Sequence, residues 1–131
     1  MVEGLPRLSP VRVRSAAGGE ARDLGVTVYA ARRWWPRLRG LLGRPALAAE
    51  EGLLLSPCGQ VHTFGMRYAL DVVYLDRGER VVKCVAGLRP NRVSGSWRGW
   101  QVLELAAGGL KRTGLRVGDR LLWRLPSSEV D

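Results

Sequence analysis

The chain has 131 residues, 46% of them apolar and 25% charged, with a formal charge of +9. These are the proportions of one globular domain; they exclude a disordered chain, a disulfide scaffold built on only two cysteines, and, with no run of about 18 apolar residues, a membrane-spanning helix. Of the 21 basic side chains 19 are arginine, whose planar fork pairs with phosphate and carboxylate, so a polyanion such as RNA is one partner class and a codon preference for arginine is the plain alternative.

Residues 1–23 read as an N-terminal arm, with Pro6, Pro10 and Gly18-Gly19 as breakers and the alternating Val11-Arg12-Val13-Arg14 as an edge strand. The first residues hold no apolar run followed by a small-residue cleavage site, which predicts a cytoplasmic location with reduced thiols. Leu24 to Tyr29 is apolar and β-branched, and predicts a strand. The period then changes. At about 100° per residue, Ala31, Trp34, Trp35, Leu38, Leu41 and Leu42 share one side of a helix while Arg32, Arg33, Arg37 and Arg39 occupy the other. Pro36 sets the start of that amphipathic helix near Arg33, and Gly43 with Pro45 ends it.

Beyond Glu50-Glu51 the pattern is mostly β. Leu53 to Leu55 and Val61 to Met66 are short extended segments, and Ala69 to Leu75 with Arg80 to Ala86 form a hairpin around Asp76-Arg77-Gly78-Glu79. Pro90 to Gly99 is a polar loop, Trp100 to Leu105 a strand, Ala106 to Thr113 a short helix stopped by Gly114, and Arg120 to Arg124 a last strand. The expected fold is therefore mostly β, α+β by content: a small barrel-like or sandwich domain of about six to seven strands with one N-terminal amphipathic helix and a short second helix. It spans residues 24–125, followed by a tail over 126–131.

Chemically capable side chains are densest from Cys58 to Asp71. Cys58, His62 and Met66 fall at even spacing, which in an extended chain puts all three on one face. A blue-copper centre wants two histidines and the chain has one. Zinc held by Cys58, His62 and Asp71 or Glu104 stays open beside the reading of Cys58 and Met66 as core, and the leading expectation is no metal and no cofactor. His62 is the natural acid or base near neutrality, with Asp71 or Glu104 to orient it, and equally a hydrogen-bonded structural residue. Asp71 and Glu104 each interrupt an apolar strand: pointing inward they need partners, pointing outward they simply alternate with the core face. Trp97 and Trp100 lie in or beside the polar loop with Arg92 and Arg98, and are better candidates for an exposed surface than Trp34 and Trp35. Phosphate-loop, dinucleotide-glycine, nucleophile-elbow and paired-histidine motifs are missing from the sequence.

Taken in order, Arg39-Gly40-Leu41-Leu42-Gly43-Arg44, Gly52-Leu53-Leu54-Leu55, His62-Thr63-Phe64-Gly65-Met66, Leu70 to Asp76, Val102 to Gly108 and Gly118-Asp119 resemble the bacterial and archaeal family called domain of unknown function 192. The resemblance runs from about residue 24 to about residue 124. It implies a compact, mostly β, barrel-like domain with a short helix near its start, and implies no activity. Two departures stand out: many members carry a signal segment, and members commonly have tryptophan-methionine where this chain has Gly65-Met66.

The leading functional expectation is a non-enzymatic binding module for an unknown small molecule or protein, monomeric or homodimeric. Its polar pocket would be formed by His62, Thr63, Met66, Asp71 and Glu104. The alternatives are a hydrolase or transferase with His62 as general base, and weak binding of RNA or another polyanion by Arg32, Arg33, Arg37, Arg39, Arg92 and Arg98.

Overall fold

The computed structural model describes residues 5–31 and 46–124. The amphipathic helix expected over 33–42, with Arg32, Arg33, Arg37 and Arg39, lies outside the described residues. Within them the chain forms, in order, β1 (Arg12–Arg14), β2 (Arg22–Asp23), β3 (Thr27–Ala31), β4 (Glu51–Leu55), β5 (Gln60–His62), β6 (Leu70–Leu75), β7 (Val81–Leu88), β8 (Val93–Gly95), β9 (Gln101–Ala106), α1 (Gly109–Thr113) and β10 (Arg120–Leu122).

These strands build three sheets, ordered β10-β1-β2, β3-β4-β9-β6-β7 and β5-β8. The barrel-like or sandwich domain of six to seven strands is thereby corrected. The described residues hold ten strands, and the largest sheet is open, with β3 and β7 at its edges. The pairing of two helices is likewise not met among the described residues, which contain only the five-residue α1. Short strands raise the count, because β2, β5 and β8 have only two or three residues and leave almost no periodic signal. The Val11–Arg14 segment also differs from expectation: β1 is the middle strand of its sheet, and Val13 is buried.

β4 and β6 are buried along their whole length because both faces of the five-stranded sheet are covered, which explains why Leu53-Leu54-Leu55 and Val72 to Leu75 read as continuous apolar runs. On one face Val73, Leu75, Leu103 and Leu105 pack against Val13 and Leu121 of the three-stranded sheet. On the other, Leu53, Leu55, Val72, Tyr74 and Val102 pack with Val61 of β5. Successive residues alternate between these two cores. Among the described strands only β3 and β4 pair in parallel.

The predicted hairpin forms as expected. The Asp76 carboxylate accepts hydrogen bonds from the backbone N–H groups of Gly78 (2.9 Å) and Arg80 (3.0 Å), closing the turn between β6 and β7. At the other end of β9, α1 lies so close that a Cβ on Gly109 would stand 2.7 Å from Cβ of Leu105. Only glycine fits that approach.

Candidate functional site

The sheet alternation decides where the two strand carboxylates go. Asp71 pairs in register with Leu105, and Val72 with Glu104, so Asp71 sits on the face of Leu105 and Glu104 on the face of Val72. The two carboxylates therefore point to opposite sides of the sheet.

Asp71 is only 2% exposed and spends both oxygens on backbone donors: Oδ1 accepts from Gly87 N–H and Oδ2 from Leu110 N–H, each at 2.8 Å. Gly87 has φ 64° beside the register shift where β7 pairs with the start of β6, and Leu110 is in the first turn of α1. The carboxylate thus ties an irregular edge strand and the helix to the central strand.

Glu104 is different. It is 5% exposed, and its Oε1 is buried without a hydrogen-bond partner. Its flanking neighbours in register are Leu53 and Val72. Burial in this apolar setting pushes its carboxyl up from 4.5 to about 7, because the charged form loses its hydration without a compensating donor. Tyr74, on the same face, is fully buried and donates its hydroxyl to Ser94 Oγ at 2.9 Å; burial, first among the causes, raises its phenol above the ordinary value.

Thr63, Met66 and His62 share a segment but not a direction. Thr63 is 1% exposed, its Oγ1 donating to the Arg89 carbonyl (2.6 Å) while accepting from Arg92 N–H (2.8 Å). Its backbone carbonyl accepts from Asn91 N–H (3.0 Å) and Met66 N–H (3.1 Å), so Thr63 fastens the 89–92 loop. Cys58 lies before β5 begins at Gln60, and the chain turns at Gly65, where φ is 81°, before Met66, so the even spacing of Cys58, His62 and Met66 gives no shared face. Cys58 and Met66 pack on the Tyr74 side core, whereas His62 is exposed and stacks on Phe64 with ring centroids 5.4 Å apart. No group of three potential metal ligands occurs among the described residues. Cys84 packs on the opposite core from Cys58, and no disulfide joins them.

Exposed rings stand at both ends of the β5–β8 ribbon. The β5–β8 ribbon is held over the Tyr74 face by the Tyr74–Ser94 bond, by Lys83 Nζ donating to the Gly95 carbonyl (2.7 Å), and by Cys58 N–H donating to the Trp100 carbonyl (2.7 Å). Its outer side shows Phe64 (51% exposed) and Val93 (54%), and the following loop shows Trp97 (98%) and Trp100 (40%). The Arg77 guanidinium stacks 3.9 Å from the centroid of the Trp100 ring. Between this loop and the β6–β7 turn runs an open groove of about 400 Å³ lined by Asp76, Arg77, Gly78 and residues 97–100. Sequence reasoning placed Trp97, Trp100 and Arg98 here through their polar loop, and Arg92 is exposed on the loop before β8. It missed Phe64, Val93 and Arg77. Phe64 follows His62 by two positions, the one signal that the two rings stand side by side.

Among known proteins, the model of the family DUF192, described as an uncharacterised ACR, matches residues 14–123. Two solved structures are similar in fold. One is a candidate transcription regulator from Sinorhizobium meliloti 1021, 25% identical, with a TM-score of 0.77 over 91% of this chain and 95% of that one. The other is a protein of unknown function from Novosphingobium aromaticivorans DSM 12444, also 25% identical, with a TM-score of 0.74 over 93% of this chain and 89% of that one. No curated protein matches the chain.

Proposed function

This chain belongs to the DUF192 family, and on that premise we propose that it is a non-enzymatic binding domain whose partner docks on the β5–β8 ribbon and the Trp97 loop. One observation carries the reading. Of the five large apolar side chains exposed among the described residues, four (Phe64, Val93, Trp97 and Trp100) belong to this one ribbon and its flanking loops. Exposed large apolar side chains carried on one short ribbon and its loops, rather than scattered over the molecule, support an interaction surface there. His62 stays in the reading as part of this surface, stacked on Phe64, and Met66 and Thr63 support it from beneath.

The rival hydrolase or transferase reading asks for a carboxylate aimed at His62. Asp71 is turned instead to Gly87 and Leu110, and Glu104 stands with an unpartnered oxygen among apolar neighbours. The Sinorhizobium neighbour is named a candidate transcription regulator, which is compatible with a binding role for this chain.

Hydroxyl-radical footprinting of the chain in cells against the purified protein tests this. Phe64, Trp97 and Trp100 are expected to oxidise more slowly in cells than in isolation, while Val117, exposed elsewhere, reacts equally in both. Equal reactivity of all four overturns the docking surface.

A further inference from the structure

Resting on that reading, we infer that the occupant of the groove between the Trp97 loop and the β6–β7 turn is a single-stranded nucleic acid: a base stacks on Trp97 while Arg98 and Arg77 face its phosphates.

Trp97 is 98% exposed, so its indole contributes almost nothing to the core and has both broad faces available. A ring in that state suits stacking on a flat aromatic partner, and every nucleobase has such a face. Trp100, beside it, is already covered on one face by Arg77 at 3.9 Å, which fixes a guanidinium at the wall of the groove. Arg98 lines the same groove. Outside its lining, Arg120 Nε donates to the Gly78 carbonyl (3.0 Å) and Arg80 Nη1 to the Gly118 carbonyl (2.8 Å), which steadies the turn.

The opposing charge is small. Asp76 is the only acid lining the groove, and its Oδ1 already takes the N–H groups of Gly78 and Arg80; Glu79 is the next residue but two along the turn. Two arginines against one carboxylate leave the lining of the groove cationic, in a chain whose whole charge is +9. An acidic protein would satisfy the arginines alone, and an apolar protein the tryptophan alone. A single strand offers planar rings and phosphates in alternation, which matches tryptophan and arginine at neighbouring positions of one loop. A duplex keeps its base faces stacked inside and has none to offer Trp97.

The test uses the full chain and a fluorescein-labelled oligouridylate of about 12 nucleotides, read by anisotropy between about 20 and about 200 mM salt, with heparin as a polyanion that has no bases. Replacing Trp97 by alanine is expected to weaken oligouridylate binding by about 5- to 150-fold and to leave heparin competition unchanged. Trp97→Phe keeps a ring and should recover part of the loss. Arg98→Ala should reduce the slope of log K against log salt by about 0.7, one phosphate contact. The Trp97 ring touches too little of the core for either of its variants to unfold the chain, and thermal melts check that directly.

No binding at the lowest salt overturns the inference, as does a Trp97→Ala protein that binds the oligonucleotide like the wild type or loses heparin in equal measure. Nuclease treatment before footprinting separates this inference from the reading beneath it. Protection of Trp97 in cells that survives nuclease overturns the nucleic acid and leaves a protein on the docking surface. No protection in untreated cells overturns the docking surface itself.

Discussion

Replacing Glu104 by glutamine should flatten the stability of the protein against pH. In the folded chain the carboxyl is raised from 4.5 to about 7 by burial, and its Oε1 has no donor to offset that cost. The folded state therefore holds a proton that the unfolded state releases between those two values. Where the native state binds more protons, the free energy of unfolding falls as pH rises. The stabilisation belongs to the protonated form, is complete below about pH 4.5, declines through the window up to about 7, and has gone above it. At about 1.4 kcal/mol for each pH unit across that window, Glu104 costs the protein about 3 kcal/mol on passing from the acid to the alkaline side. That is a large share of the 5–15 kcal/mol typical of a small domain. The assay is urea denaturation followed by tryptophan fluorescence, at steps from about pH 4.5 to about pH 8.5. Other titrating groups act alike on both proteins, so the difference between wild type and Glu104→Gln isolates this side chain. It should grow by about 3 kcal/mol in favour of the variant as pH rises. Parallel profiles across the window would refute the argument, because they would mean that the carboxyl reaches water or a donor after all.

Asp71→Ala removes the carboxylate that accepts from the Gly87 and Leu110 N–H groups and should cost about 2 kcal/mol, with faster amide exchange at Gly87 and Leu110. Thr63→Val keeps the shape but leaves the Arg89 carbonyl and the Arg92 N–H without the hydroxyl between them. About 1–3 kcal/mol should be lost in urea melts, together with order in the 89–92 loop seen by amide exchange. Gly109→Ala sets two effects against each other: alanine favours a helix by about 1 kcal/mol over glycine, but its Cβ would stand 2.7 Å from Leu105 Cβ. The close contact should win, and thermal melts should show a lower midpoint; a higher one would show that α1 moves away freely.

The hairpin around Asp76 was legible because its turn residues and flanking alternation act locally, within ten residues or so of one another. The short helix expected over Ala106 to Thr113 was not met in that form, because Ala106 pairs as the last residue of β9 and only Gly109–Thr113 is helical. The three-residue β5 and β8 were not legible, since strands so short carry no period and exist through pairing with each other across more than thirty residues. For the candidate site, loop composition was enough to single out Trp97 and Trp100. It could not reveal that Arg77, far earlier in the chain, closes over Trp100.

By itself the sequence determined a mostly β chain of one family, its cationic excess, and the two carboxylates set within apolar strands. Their local patterns, Leu-Asp-Val and Leu-Glu-Leu, are nearly the same, and nothing in either pattern distinguishes their fates. The tertiary structure decided between them. Antiparallel register of β6 and β9 sends Asp71 to the face where α1 and the bend of β7 supply two N–H donors, and Glu104 to the face where it meets Leu53 and Val72. A buried charge is settled by the donors that surround it in space, and those come from elements distant in the chain.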